Sequence, residues 1–251
     1  MHNTIHESAF DRGDLFSEVY MGYPGDTEFY LDAAKFGSVL YLGVGTGRIF
    51  CKIADANQNI IGIDNSKSMI TELTKKHPKL GKDQVFEADV LQFRAAENSL
   101  DKVIAPFSFL SIFCPSDNTL LLRKVFSWLR PGGTFVTDIF SPFSNPPFSQ
   151  DFEVEEKSLD HNRASKVEIA YDHVNQRLTE VATVEKDGEI HKIEMNLFYY
   201  YPNELKKLIQ ESGLIVSNFW GGFDKSIVTT HSDIFVIEAT KPQPNEEGFP
   251  L

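Results

Sequence analysis

The chain has 251 residues, 41% of them hydrophobic, with 24 basic and 36 acidic side chains and a formal net charge of −12. That length suits one domain, 1–251, with an elaboration. No run approaches the ~20 apolar residues of a membrane helix, and the charge has the wrong sign for gripping a nucleic-acid backbone, so binding to neither membrane nor nucleic acid is expected. The N-terminus shows no basic-then-apolar leader, and Cys51 and Cys114 read as reduced core thiols; together they predict a cytoplasmic protein.

Leu15 to Tyr20 predicts a short helix ahead of the first strand. Ser38 to Leu42 is an apolar run that reads as a buried strand, followed by Gly43-Val44-Gly45-Thr46-Gly47 and a helix from Arg48 to Ala54. Glycines at alternate positions let the backbone turn sharply and approach a ligand, and the helix start offers N–H groups to an anion. The next apolar run, Ile60 to Asp64, ends in a carboxylate 21 residues after Gly43, a spacing that suits hydrogen bonds from a ribose diol. These features predict a nucleoside-binding crevice. The dinucleotide fingerprint is G-x-G-x-x-G. Here the spacing is G-x-G-x-G, and Arg48 stands in place of the third glycine. That leaves NAD(H) and S-adenosylmethionine as alternatives and favours the second.

Ser66 predicts the cap of a helix with Met69, Ile70 and Leu73 inward, ended by Pro78. Strands follow at Gln84 to Glu87 and Ser99 to Ala105. A helix at Asp117 to Leu129 is broken by Pro131-Gly132-Gly133, and Thr134 to Phe140 is a further strand. This alternation predicts a parallel, doubly wound α/β sheet. Ser141 to Gln150 reads as a loop. Lys166 to Tyr201 reads as three antiparallel strands with a hairpin turn at Asp187-Gly188. Helix returns at Pro202. Two last strands, Leu214 to Phe219 and Asp233 to Thr240, flank Gly221-Gly222 with no crossover helix between them, so the final strand should run antiparallel.

In this order the elements resemble the class I S-adenosylmethionine-dependent methyltransferases, of the small-molecule type. Val39 to Arg48 is similar to their first motif, and Asp64 to their ribose-binding acid with Asn65 to Ile70 as its continuation. Glu87-Ala88-Asp89-Val90 resembles their adenine segment, and Pro106 to Leu110, Leu129 to Gly133 and Tyr201 to Leu205 resemble three further segments. Tyr41 stands where the family usually has an acid, and Ser108 where one subgroup often has Asn.

The resemblance implies a Rossmann-like seven-stranded sheet with its last strand antiparallel, an N-terminal lid at 8–30 and an inserted antiparallel β cap at 150–201. It implies cofactor contacts from Tyr20, Gly43, Gly45, Gly47, Asp64, Asn65, Met69, Asp89, Val90 and Phe107, and a substrate wall of Phe107, Phe109, Tyr199 and Tyr201. The expected function is transfer of a methyl group from S-adenosyl-L-methionine to an N or O atom of a small-molecule acceptor. A non-catalytic S-adenosylmethionine-binding protein and an NAD-dependent oxidoreductase are the alternatives. No catalytic residue is identified; His161, His173 and His191, in or near the insertion, are candidates for a general base, and no metal site is expected. The inserted strands need something to cover their apolar side. They should therefore close the crevice mouth, form a homodimer, or both.

Overall fold

A computed structural model describes residues 4–81, 83–143, 152–160 and 163–244. Among them, two sheets divide the work of the fold. The central sheet contains β2 (Val39–Leu42), β3 (Ile60–Asp64), β4 (Val85–Glu87), β5 (Leu100–Ala105), β6 (Leu129–Phe140), β11 (Ile215–Trp220) and β12 (Ile234–Thr240) in the order β11-β12-β6-β5-β2-β3-β4. From β4 to β6 every pairing is parallel, whereas β12 runs antiparallel to both of its neighbours, β6 and β11. The seven-stranded sheet with a reversed last strand is thus the architecture expected from a last connection that carries no crossover helix.

All of β2 is buried, as befits a strand covered on both faces. One face packs on α5 (Pro115–Trp128) and α6 (Pro202–Gln210) through Leu121, Val125, Leu205 and Ile209. The other packs on α2 (Asp26–Ala33) and α3 (Phe50–Ala56) through Tyr30, Phe50 and Ile53, and reaches Leu73 of α4 (Lys67–Lys76). One boundary differs from the sequence reading. Helix α5 stops at Trp128, and β6 starts at Leu129, carrying Pro131-Gly132-Gly133 inside it. Leu129 pairs with Leu100, and a Cβ on Gly133 would lie 2.9 Å from the Arg130 carbonyl and 3.1 Å from that of Asp101. The second glycine therefore permits close backbone contact within the sheet rather than breaking the helix.

The second sheet corrects the expected three-stranded insertion. Four antiparallel strands, β7 (Phe152–Asp160), β8 (Arg163–Asp172), β9 (Arg177–Lys186) and β10 (Glu189–Phe198), are joined by β1 (Thr4–Ser8), which pairs parallel to β10. Both unforeseen strands lie at the edges of this sheet. Edge strands are held by backbone ladder bonds on one side and need little apolar alternation, and the sequences Thr4 to Ser8 and Phe152 to Asp160 are mostly polar. The predicted loop at 141–150 lies mostly outside the described residues.

The inner face of the second sheet is covered within the chain. Val167, Leu178, Ala182, Val184, Ile193 and Met195 bury Ala9, Leu15 and Val19, the last two on α1 (Gly13–Val19). The N-terminal segment is therefore held between the inserted sheet and the crevice of the central one. No helix among the described residues is long and apolar enough to cross a membrane.

Candidate functional site

The loop after β2 crosses above β3, with the N–H groups of Gly43 and Val44 bonded to the Ile63 carbonyl at 2.8 and 3.1 Å. All three loop glycines have positive φ, and their surroundings separate their roles. A Cβ on Gly43 would strike the Phe109 ring at 2.5 Å, and one on Gly47 would strike Cys51 at 2.7 Å. These two are glycine because the core leaves no room. Around Gly45 nothing lies within 4 Å of the Cβ position; its backbone faces open space, as a ligand-cradling turn requires.

The N–H of Gly45 donates to one oxygen of Asp64, and that of Ser66 to the other, both at 2.8 Å. Burial pushes the Asp64 carboxyl up from its ordinary pKa, while these two donors favour the charged form. Asn65 is exposed next to it. Met69 is buried, its N–H capped by the Ser66 hydroxyl at 3.1 Å. Ala88 donates to the Asp64 carbonyl at 2.8 Å, which brings the adjoining Asp89-Val90 alongside. Asp89 accepts from the N–H of Leu91, and Val90 is buried. Gly45, Asp64 and Asp89 thus gather at the carboxyl ends of β2, β3 and β4, where open α/β sheets bind ligands.

Phe107 was expected in the adjacent wall, but the buried acid that shapes it was not foreseen. Phe107 and Ser108 follow β5 with φ of +61° and +52°, a left-handed conformation that costs non-glycine residues of order 1–3 kcal/mol each. The buried carboxylate of Asp138 on β6 holds both, accepting the N–H of Phe107 at 2.8 Å and of Ser108 at 2.9 Å. Its third donor is the Tyr30 hydroxyl, at 2.6 Å. Burial nevertheless outweighs these donors and pushes Asp138 up to about 6. An acid inside the apolar run Phe135 to Phe140 is the sequence signal that marks it.

The Phe107 ring turns toward the N-terminal segment, with centroids 6.1 Å from Phe16, 6.4 Å from Tyr20 and 6.1 Å from Tyr23. Arg48 lies over the same ring at 5.9 Å and binds both oxygens of the buried Asp26, at 2.8 and 2.5 Å. Where a dinucleotide loop carries its third glycine, this chain carries a tie to α2. Tyr41 lies in the core, edge-on to Phe50 at 5.6 Å.

Other expected wall residues lie elsewhere. Phe109 is buried beneath Gly43 and packs edge-on to Phe113. Tyr199 and Tyr201 share a side, with ring centroids 6.1 Å apart, while Tyr200 turns the other way to Asn118 and is pushed to about 12 by burial. Tyr199 meets His173 at 3.0 Å, and Tyr201 meets Phe143 at 5.9 Å. His191 contacts Arg12 at 2.9 Å and ties β10 to the N-terminus. His161 lies outside the described residues. Among the described residues no cluster of His, Cys, Asp or Glu is placed to hold a metal. A groove of about 680 Å³ lies at the opposite end of the sheet among Asp55, Lys76, His77 and Gln84, away from this constellation.

Residues 39–133 match the family model described as a methyltransferase domain. An uncharacterized methyltransferase of Anoxybacillus flavithermus is 30% identical over 130 residues, 51% of this chain and 58% of the relative. The chain thus spans just over half the length of the curated relatives it matches. The CcbJ methyltransferase of Streptomyces caelestis superposes with a TM-score of 0.82 at 22% identity, covering 94% of this chain and 98% of its own. The S-adenosylmethionine-bound amino pentose methyltransferase CalS10 of Micromonospora echinaspora gives 0.64 at 16%, covering 90% and 94%. Glycine loop, acid at the end of β3, sheet order and comparisons converge: residues 39–133 match a methyltransferase domain, and the chain shares its fold with solved S-adenosylmethionine-dependent methyltransferases.

Proposed function

We propose that this protein transfers the methyl group of S-adenosylmethionine to a nitrogen or oxygen atom of a small molecule. The observation that carries the reading is the Gly45–Asp64 pair, a backbone turn facing open space beside a half-buried carboxylate. The residues present fit the cofactor. Asp64 keeps lone pairs for a ribose diol after accepting from Gly45 and Ser66, and Asp89 and Val90 adjoin it for the adenine. When bound, the cofactor supplies an electrophilic methyl on a sulfonium.

The chain's own task is then alignment and exclusion of water. Aligned reactants gain about 7–11 kcal/mol of barrier from proximity. Asp138 fixes the Phe107–Ser108 turn at the mouth, and the aromatic N-terminal segment under the inserted sheet closes over it. The enclosed, aromatic character of that mouth supports a small acceptor over a polymer.

Two measurements test the reading. Calorimetry should detect S-adenosylmethionine and S-adenosylhomocysteine and show no heat with NADH. Tritiated cofactor incubated with a metabolite extract should label a small molecule. Binding without transfer would leave a non-catalytic binding protein, and NADH binding alone would sink the proposal.

A further inference from the structure

The connection from β11 to β12, residues 221–233, is long for two neighbouring antiparallel strands, and long ordered loops commonly carry binding functions. Its first half is bonded to itself. The Gly221 N–H donates to the Ser226 carbonyl at 2.8 Å, the Lys225 N–H to the Gly222 carbonyl at 3.1 Å, and the Ser226 N–H to Asp224 Oδ1 at 3.0 Å. A Cβ on Gly221 would lie 2.7 Å from the Ile227 carbonyl, so the turn closes only on a glycine. This turn holds Lys225 at a φ of +62°, a left-handed conformation that a residue with a Cβ rarely adopts. The Lys225 ammonium is set over two rings, 5.4 Å from the Trp220 centroid and 5.8 Å from that of Phe29. Phe29 and Trp220 themselves meet edge-on at 6.0 Å.

Helix α6 brings a second lysine to the same place. Lys206 Nζ lies 4.6 Å from the centroid of Phe219. Both lysines line a groove of about 390 Å³, together with Phe219, Trp220, Ser226 and Ile227. Among the described residues neither lysine has an acidic partner or a hydrogen-bond acceptor. The acids nearby are engaged elsewhere: Asp224 with the Ser226 N–H, and Glu204 with Gln176 and the Tyr201 N–H. No acid lines the groove, although the chain carries a formal charge of −12. Ile227 on its wall is 86% exposed. No residue of the glycine loop lines it, and neither do Asp64 and Asp89.

An ammonium over a ring keeps N–H donors for a ligand. Two such groups with no carboxylate to neutralise them complement an anion. The flanking aromatic rings complement a flat apolar body, and the volume suits a small ligand. We propose that this groove binds a small planar anion, an aromatic ring carrying a carboxylate or a phosphate. Lys206 and Lys225 meet its anionic group, and Phe219 and Trp220 meet its ring. The site is separate from the Gly45–Asp64 crevice and does not depend on the methyltransferase reading.

The test uses the full chain and two matched probe pairs, benzoate against benzamide and phenyl phosphate against phenol, which also separate the two anionic groups. Calorimetry on the wild-type protein, with and without saturating S-adenosylhomocysteine, should show at least one anion bound about tenfold or more tightly than its neutral partner, the worth of a hydrogen bond to a charged group. The chain has two tryptophans, and Trp128 is buried in the core. In Trp128→Phe protein the fluorescence therefore reports Trp220 alone, and the same anion should change it. Lys206→Gln and Lys225→Asn should each weaken the anion. Asparagine is chosen because it tolerates the left-handed backbone. The double variant should lose the preference while keeping its thermal midpoint and its affinity for S-adenosylhomocysteine. Equal binding of anion and neutral partner, no anion binding, or an undiminished preference in the folded double variant would each overturn the proposal. Failure of S-adenosylhomocysteine to bind counts only against the methyltransferase reading, since the anion comparison is also made without it.

Discussion

Tyr30 donates its hydroxyl to the buried carboxylate of Asp138 at 2.6 Å, joining α2 near the N-terminus to the carboxyl end of β6. The same carboxylate holds the two strained residues at the crevice mouth. One side chain therefore couples α2 of the N-terminal segment to the Phe107–Ser108 turn after β5.

That coupling has a pH signature. Asp138 titrates near 3.8 unfolded and about 6 folded. A raised carboxyl contributes stability below the unfolded value, and this contribution is lost as pH rises through the folded one. Stability should thus fall between roughly pH 4 and pH 6, by about 3 kcal/mol for this group alone. Tyr30→Phe removes a donor from the charged form. It should cost about 1.5–3 kcal/mol at pH 8 and clearly less at pH 5, where the folded carboxyl is mostly protonated. Urea unfolding at the two pH values checks the difference, and equal losses would contradict the assignment.

The Arg48–Asp26 pair predicts the opposite sign. Burial opposes ionisation of Asp26, but the Arg48 guanidinium and the Tyr23 N–H outweigh it and hold the carboxyl below its ordinary 3.8. A depressed carboxyl gives stability above the unfolded pKa that disappears as pH falls below it. Asp26→Asn should cost about 1.5–3 kcal/mol at pH 7, the range for hydrogen bonds to charged groups. Loosening should concentrate in residues 13–33, where amide hydrogen exchange should quicken most. Exchange that quickens uniformly over the central sheet would argue against a local tie.

The central sheet, its reversed last strand and the glycine loop were legible in the sequence because each is a local pattern. Val39 to Leu42 is uniformly apolar, and the connection through Gly221-Gly222 offers no helix pattern for a crossover. The ties that hold the crevice wall were not legible, because they join residues far apart in sequence. Tyr30 and Asp138 are 108 residues apart, and Arg48 and Asp26 are 22 apart. Asp138 did leave a trace, as an acid within the apolar run of a strand. Phe109 misled for a related reason. Its place after β5 suits a pocket wall, but the missing Cβ of Gly43 lets its ring fill the core instead.

Asp64 should matter to ligand more than to fold. Its two donors are backbone N–H groups of a loop and a helix start, and Asparagine at this position would keep one acceptor oxygen and lose the charge. Affinity for S-adenosylhomocysteine should fall about tenfold to a hundredfold, since a hydrogen bond to a charged group is worth about 1.5–3 kcal/mol. Burial raises the Asp64 carboxyl, so wild-type affinity should also weaken on the acid side, and the Asp64→Asn variant should lack that decline. Calorimetry across pH distinguishes the two profiles. Unchanged affinity in Asp64→Asn would remove this residue from the site.

Gly43 and Gly45 share one loop and a positive φ, yet their alanine variants should fail in different ways. In both, a left-handed alanine costs roughly 1–2 kcal/mol. At Gly43 the new methyl also meets the Phe109 ring at 2.5 Å, in the buried core. Overpacking there adds about 1–3 kcal/mol, so Gly43→Ala should lower the thermal midpoint strongly. At Gly45 the methyl finds nothing within 4 Å, and the stability loss should stop at the backbone cost. Its methyl instead projects into the space where the ligand must approach, so affinity for S-adenosylhomocysteine should drop at least tenfold while the protein stays folded. Thermal melts and calorimetry on the two variants, side by side, read out both axes. Normal affinity in Gly45→Ala would show that the open space above this glycine is not the cofactor's.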